Sequence, residues 1–133
     1  MPRSVEPLFE LFVYETNQLL EQLEKNILDC EQTKTFDIDT MNDIYGNIRT
    51  IRGSAAMMLY TSISTVANAL ENLFHSLRKQ EKEGHNYNEI ADIVFRISDY
   101  IKGELDKIED GIEPYGNPEC FIKEVNNLLN KIN

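Results

Sequence analysis

The spacing of apolar residues constrains this chain most strongly, because they recur every three or four positions along most of its 133 residues. In the central stretch, Ile44, Ile48, Ile51 and Ala55 share one side of a helical wheel, followed by Met58 or Leu59. This spacing buries one face of an α-helix, whereas a half-buried strand alternates apolar and polar residues. The sequence contains no alternating pattern and no internal repeat. The chain is therefore predicted to be all-α.

Four further stretches carry the same spacing and predict four more helices. Their expected core residues are Leu8, Leu11 or Phe12, Leu19, Leu23 and Ile27; Ile63, Val66 or Ala67, Leu70, Leu73 or Phe74 and Leu77; Ile90, Ile93 or Val94, Ile97, Ile101, Leu105 and Ile108; Phe121, Ile122, Val125, Leu128 or Leu129 and Ile132. Four helices of about 19 to 25 residues joined by short turns predict an antiparallel, up-and-down four-helix bundle, with the fifth, C-terminal helix packed on it. Residues 1–133 are expected to form a single domain.

Polar and turn-forming residues mark the predicted helix ends. The expected N-caps are Ser4, Asp37 or Asp39, Thr61–Ser62, and Asn86 in a capping box with Glu89. The central helix is expected to end near Tyr60 and the fourth helix at Gly111, and Pro118 is expected at the first position of the last helix.

Charge and composition exclude several classes of function. The formal net charge is −10 and the pI is about 4.6, so nucleic acid and anionic membrane surfaces are not expected partners. No apolar run is long enough to span a membrane, and no signal peptide precedes the first helix, so a cytoplasmic protein is expected. Cys30 and Cys120 have neither metal-binding nor disulfide-framework spacing, and we expect reduced thiols and no metal or cofactor.

The central helix contains Gly46 and Gly53, one turn before and one turn after Arg49. A glycine in a helix interior costs about 0.5–1 kcal/mol relative to alanine. A surface without side chains allows another molecule to approach whatever projects from it. The pattern therefore indicates a partner-binding surface around Arg49.

Residues 49–58, Arg-Thr-Ile-Arg-Gly-Ser-Ala-Ala-Met-Met, resemble the His-Thr-Ile/Leu-Lys-Gly-Ser-Ala/Ser-x-Met-Met signature of histidine phosphotransfer (HPt) domains, in particular the amino-terminal domain of CheA-type chemotaxis kinases. Residues 67–74, Ala-Asn-Ala-Leu-Glu-Asn-Leu-Phe, resemble a second segment of the same family, Ala/Thr-His-x-Met/Leu-Glu-Asn/Asp-Leu-Leu/Phe. The resemblance places Arg49 at the phosphorylated histidine, Arg52 at a lysine and Asn68 at a second histidine of CheA-type domains. Glu71 matches the glutamate that supports the imidazole.

This resemblance implies a phosphorelay domain that has lost its acceptor and is not itself an enzyme. A guanidinium stays protonated and offers no lone pair to a phosphoryl group. The expected function is docking of a response-regulator receiver domain, a histidine kinase catalytic domain, or both, over Arg49, Arg52, Gly53, Ala56, Met57 and Tyr60. An ion pair of Arg49 or Arg52 with Glu71 is expected across the second and third helices.

Two alternatives stay open from the sequence. His75 shares a polar stripe with Asn68, Glu71 and Arg78, and it is the alternative phosphoacceptor of an active carrier. A structural module for helical oligomerisation is the other alternative. His85 is expected in a solvated turn. The acidic residues Glu104, Asp106, Glu109 and Asp110 are expected to be solvated.

Overall fold

The computed structural model describes residues 7–79 and 86–132, and in these ranges it contains five α-helices and no strand. The helices are α1 (Pro7–Asp29), α2 (Ile38–Met57), α3 (Thr61–Lys79), α4 (Tyr87–Glu109) and α5 (Glu119–Ile132). The prediction of an all-α helical bundle is confirmed. The predicted cap Ser4 and the loop histidine His85 lie outside the described residues. In the described ranges, no helix is both long enough and apolar enough to cross a bilayer.

Contacts at one end of the bundle establish its up-and-down course. The Tyr87 hydroxyl, at the start of α4, donates to the carbonyl of Ile27 near the end of α1. At that same end, the ring of Phe36, which precedes α2, contacts Phe74 of α3 and Tyr87. Because the start of one helix meets the end of another in each case, neighbouring helices are antiparallel. The last helix, α5, packs against α3 and α4.

The helix ends agree only in part with the sequence predictions. Asp37 caps α2, since its Oδ1 accepts from the backbone N–H of Thr40 at 2.8 Å. The central helix ends at Met57 rather than near Tyr60, because Leu59 adopts a left-handed conformation (φ 62°). The N–H groups of Leu59 and Tyr60 then bond the carbonyls of Ala56 and Ala55, which is a Schellman ending. Gly111 (φ 76°) closes α4 in the same way, as predicted.

Asn86 occupies the N-cap position of α4, as predicted, but without the predicted capping box, and Ser62 does not cap α3. The side chain of Asn86 makes no capping hydrogen bond, and Glu89 pairs with Lys131 of α5 (Oε2–Nζ 3.1 Å) instead of closing a capping box. Ser62 is buried rather than capping α3, and its hydroxyl lies 2.7 Å from Oε1 of Glu104.

The core follows the predicted stripes of α2, α3 and α4. Every core position predicted for α3 and α4 is buried, as are Ile44, Ile48, Ile51 and Ala55 of α2. Leu8, expected in the core, is exposed; of the alternatives predicted for two other positions, Phe12 rather than Leu11 and Met58 rather than Leu59 pack in or against the core. Leu8 and Leu11 lie in the first turns of α1, where Phe12, which packs against Tyr60, takes the inward position. Leu59 points outward because the left-handed turn ends the helical phase.

One carboxylate of the acidic run is buried, contrary to the expectation of a solvated cluster. Glu104 accepts from the backbone N–H of Gly116 (2.8 Å) and pairs with Lys107 (2.7 Å), in addition to its contact with Ser62. Burial raises its pKa, but these donors outweigh burial and leave the pKa below the ordinary value. Glu104 therefore fastens the loop before α5 to the bundle.

Candidate functional site

The candidate site lies where the exposed edges of α2 and α3 face each other. With 3.6 residues per turn, Tyr45, Arg49 and Arg52 fall on one shoulder of the buried stripe of α2. On α3, Glu71 and Arg78 fall on the corresponding shoulder. Because α2 and α3 are antiparallel and directly connected, the two shoulders meet.

An ion pair joins the shoulders at mid-height of the bundle. Nε of Arg52 donates to Oε1 of Glu71, and Nε of Arg49 lies 3.8 Å from the second oxygen, Oε2. The predicted pairing is therefore confirmed for both arginines, with Arg52 as the closer partner. The side chain of Glu71 is 16% exposed and that of Arg49 is 57% exposed. Arg52 thus holds the carboxylate, while the guanidinium of Arg49 remains accessible.

The helix surface one turn before and one turn after Arg49 carries no side chain, because glycine occupies both positions. A Cβ atom added to Gly46 or Gly53 would meet nothing within 4 Å, so neither glycine is required by packing within the chain. Ala56 and Met57 continue this face towards the end of α2, and both are exposed. The Met57 side chain, 86% exposed, provides an apolar contact beside the arginine.

Tyr60 does not belong to this surface, so the prediction that it contributes to an exposed partner-binding face is wrong. It is buried, and its ring packs at a tilt against Phe12, with centroids 5.1 Å apart, and against Phe9 at 6.4 Å. Burial also raises the pKa of its hydroxyl. The left-handed residue before it, Leu59, turns the chain and directs Tyr60 into the core.

The remaining residues of the predicted stripe lie on the same edge of α3. Asn68 is exposed one turn before Glu71, and His75 is exposed one turn after it. The His75 imidazole packs against the ring of Tyr45, with centroids 6.2 Å apart and planes inclined by 33°. His75 is thus accessible and lies beside the ion pair.

Sequence reasoning did not identify Tyr45 as part of the site. The guanidinium carbon of Arg78 lies 4.3 Å from the centre of its ring, and that of Arg49 lies 5.7 Å away. Tyr45 precedes Arg49 by four residues, and this spacing alone would have placed the two side chains next to each other on the helix. The pairing with Arg78 depends on the register between α2 and α3, and a single sequence does not specify that register.

Neither cysteine belongs to the site. Cys30 is buried at the end of α1, where burial raises the pKa of its thiol, and Cys120 is exposed at the start of α5. Among the described residues, no group of three or more His, Cys, Asp or Glu side chains is arranged to hold a metal ion.

Comparison with known proteins finds a match to the sequence profile of the Hpt domain over residues 7–111. The chemotaxis protein CheA of Bacillus subtilis is 27% identical over 120 residues, which cover 90% of this chain and 17% of that protein. CheA of Treponema pallidum is 30% identical over 106 residues (80% and 13%). The sensor histidine kinase CheAY of Helicobacter pylori is 26% identical over 130 residues (97% and 16%). The chain therefore spans no more than 17% of the length of these relatives.

Proposed function

Because the chain belongs to the Hpt domain family, we propose that it is a docking domain of two-component or chemotaxis phosphorelay signalling that carries no phosphoryl group at residue 49. Its partner in this proposal is a response-regulator receiver domain or a histidine kinase catalytic domain. The similarity to CheA and CheAY proteins supports the general role. The nature of residue 49 supports the loss of phosphoryl transfer.

One observation carries the proposal, namely an exposed arginine beside Glu71 on the face shared by α2 and α3. By resemblance to the HPt signature, Arg49 occupies the position of the acceptor histidine. Phosphoryl transfer through histidine requires a ring nitrogen with a free lone pair. The guanidinium of Arg49 has five N–H donors and no acceptor, and it keeps its positive charge at neutral pH. The position can therefore bind an acidic surface but cannot accept a phosphoryl group at neutral pH.

The surface around Arg49 has the properties of a small protein interface. Met57 offers an exposed apolar side chain, and Gly46, Gly53 and Ala56 allow the partner backbone to come close. Interfaces commonly combine such apolar contacts with an arginine that acts as an anchor. The docking surface proposed here consists of Arg49, Arg52, Gly53, Ala56 and Met57.

Calorimetric titration tests the docking proposal. Receiver domains of chemotaxis response regulators and the kinase catalytic domain, all from the species that encodes this chain, are titrated into the wild type and into Arg49→Ala. At least one partner should bind, and Arg49→Ala should weaken binding about tenfold. Lys123→Ala removes one exposed positive charge from α5 and should bind as the wild type does.

Absence of binding by every partner would contradict docking and would favour a structural oligomerisation module. Sedimentation velocity on the same samples then measures whether the chain self-associates. If docking is correct, the chain binds a receiver or kinase domain, and this binding does not require the chain to self-associate.

The exposed imidazole of His75 gives the active-carrier alternative a structural basis, because it lies one turn from Glu71 on the docking side of α3. Incubation of the wild type with an active CheA-type kinase and ATP, followed by intact mass measurement under alkaline conditions that preserve phosphohistidine, tests this alternative. We expect no gain of mass. A stoichiometric gain that His75→Gln abolishes would replace docking by phosphoryl transfer as the function of the site.

A further inference from the structure

Three side chains of α2 and α3 converge on one aromatic ring, that of Tyr45, next to the ion pair. Arg49, four residues after Tyr45, and Arg78 from α3 both lie against the Tyr45 ring, at 5.7 and 4.3 Å from its centre. The imidazole of His75 packs against the same ring. Contacts of a guanidinium with an aromatic face restrict its orientation while leaving its N–H groups available as donors.

The charge of this region is opposite to that of the chain. The net charge of the protein is −10. In the region formed by the ion pair and the Tyr45 cluster, three arginines (Arg49, Arg52 and Arg78) accompany one carboxylate, Glu71. Arg52 is the closer partner of that carboxylate, so the positive charge of Arg49 is only partly compensated. A local excess of positive charge on an acidic protein attracts an anion to this region.

The arrangement favours a phosphoryl group over a carboxylate. A carboxylate has two oxygens; in Glu71, Oε1 accepts from Nε of Arg52 and Oε2 lies 3.8 Å from Nε of Arg49. A phosphoryl dianion has three terminal oxygens and accepts from guanidiniums approaching from different sides. Arg49 and Arg78 come from different helices and both lie against the ring of Tyr45, and the imidazole of His75 beside that ring is an additional donor.

We propose that Arg49, His75 and Arg78, arranged around Tyr45, bind the phosphoryl group of a phosphorylated receiver domain. The chain would then bind the phosphorylated receiver in preference to the unmodified one and retain it without taking up its phosphate. This inference rests on the proposed function, because it takes the partner to be a receiver domain. It adds a preference that docking alone does not require.

Titration calorimetry with the receiver panel, with and without beryllium trifluoride as a stable mimic of aspartyl phosphate, tests the preference. The wild type should bind the beryllofluoride form about tenfold more tightly, which is the effect of one charge-assisted hydrogen bond. Arg78→Gln should remove most of that preference while leaving binding of the untreated receiver nearly unchanged. Lys123→Gln, which removes an equal charge on α5, should keep the preference. Circular dichroism verifies that each variant is folded.

A second measurement separates direct contact from a change in receiver shape. Inorganic phosphate is titrated into the isolated chain, and the guanidinium Nε–H signals of its arginines are followed by NMR. Saturable shifts at Arg49 and Arg78, absent for Arg96 on α4, support the site.

Equal affinity of the wild type for both receiver forms would overturn the inference and leave docking intact. A preference that persists in Arg78→Gln would also overturn it, because the cluster would not be its source. If no receiver form binds, the inference and docking to receivers both fail, whereas binding of the kinase domain would still support docking.

Discussion

Replacing Ile51 by alanine tests the helical phase that brings Arg49 to the surface. Ile51 is 1% exposed and lines a small cavity of about 10 Å³ with residues of all four bundle helices, among them Leu23, Leu70 and Ile97. The substitution removes three carbon atoms, which corresponds to about 2–3 kcal/mol of lost burial at ~0.8 kcal/mol per methylene. Because neighbours on four helices cannot all move inward, the new cavity adds to this cost. We expect a loss of about 3–5 kcal/mol.

Urea denaturation followed by circular dichroism measures this loss, with Thr50→Ala as the matched control. Thr50 is exposed, and its hydroxyl donates to the carbonyl of Gly46 at 3.0 Å, a bond within the helix. Losing that bond is offset by the better helix propensity of alanine, so the change should stay within about 0.5 kcal/mol. If Thr50→Ala were the more destabilising of the two, α2 would be rotated about its axis and Arg49 would not lie at the α2–α3 edge.

Three further predictions concern the bundle end and the glycines. Gly53→Ala should stabilise the fold by about 0.5–1 kcal/mol in urea denaturation, because nothing lies within 4 Å of the added Cβ, and should weaken receiver binding in calorimetry. Gly116→Ala should instead destabilise by about 1–3 kcal/mol, because its Cβ would lie 2.7 Å from Oε1 of Glu104. The lowered pKa of Glu104 predicts stability that is fully present above its ordinary value of 4.5 and is lost as pH falls through the folded-state pKa. Denaturation midpoints measured from pH 7 to pH 3 should therefore fall less steeply in Glu104→Gln than in the wild type, and parallel curves would contradict this assignment.

The fold was predictable because burial and helix periodicity agree along most of the chain. The apolar stripes of α3 and α4 place every predicted core residue inside the bundle. Glycine marks the end of α4 at Gly111, where a left-handed residue is needed. At the end of α2 the same left-handed conformation is adopted by Leu59. A leucine does not mark a helix end as a glycine does, so the sequence predicted a helix that continues to Tyr60.

The contacts that follow from residue spacing along α2 and α3 could be predicted. The contacts that depend on packing between segments distant in sequence could not. Spacing along α2 and α3 anticipated the pairing of Arg49 and Arg52 with Glu71. The buried role of Glu104 was missed because its donors, Ser62 and the N–H of Gly116, are 42 and 12 residues away in sequence. A carboxylate in a charged run gives no sign of such donors until the chain is folded.

Restoring an imidazole at residue 49 tests the central claim most directly. Arg49→His places a ring beside Glu71, which can accept one ring N–H and leave the other nitrogen free to accept a phosphoryl group. After incubation with an active CheA-type kinase and ATP, intact mass should show acid-labile phosphate on Arg49→His and none on the wild type or on Arg49→Gln. Exposure of Asn68 in place of a second imidazole predicts slow labelling. A phosphorylated wild-type protein, or an Arg49→His variant that folds normally yet stays unlabelled, would contradict the claim that residue 49 is a lost acceptor position.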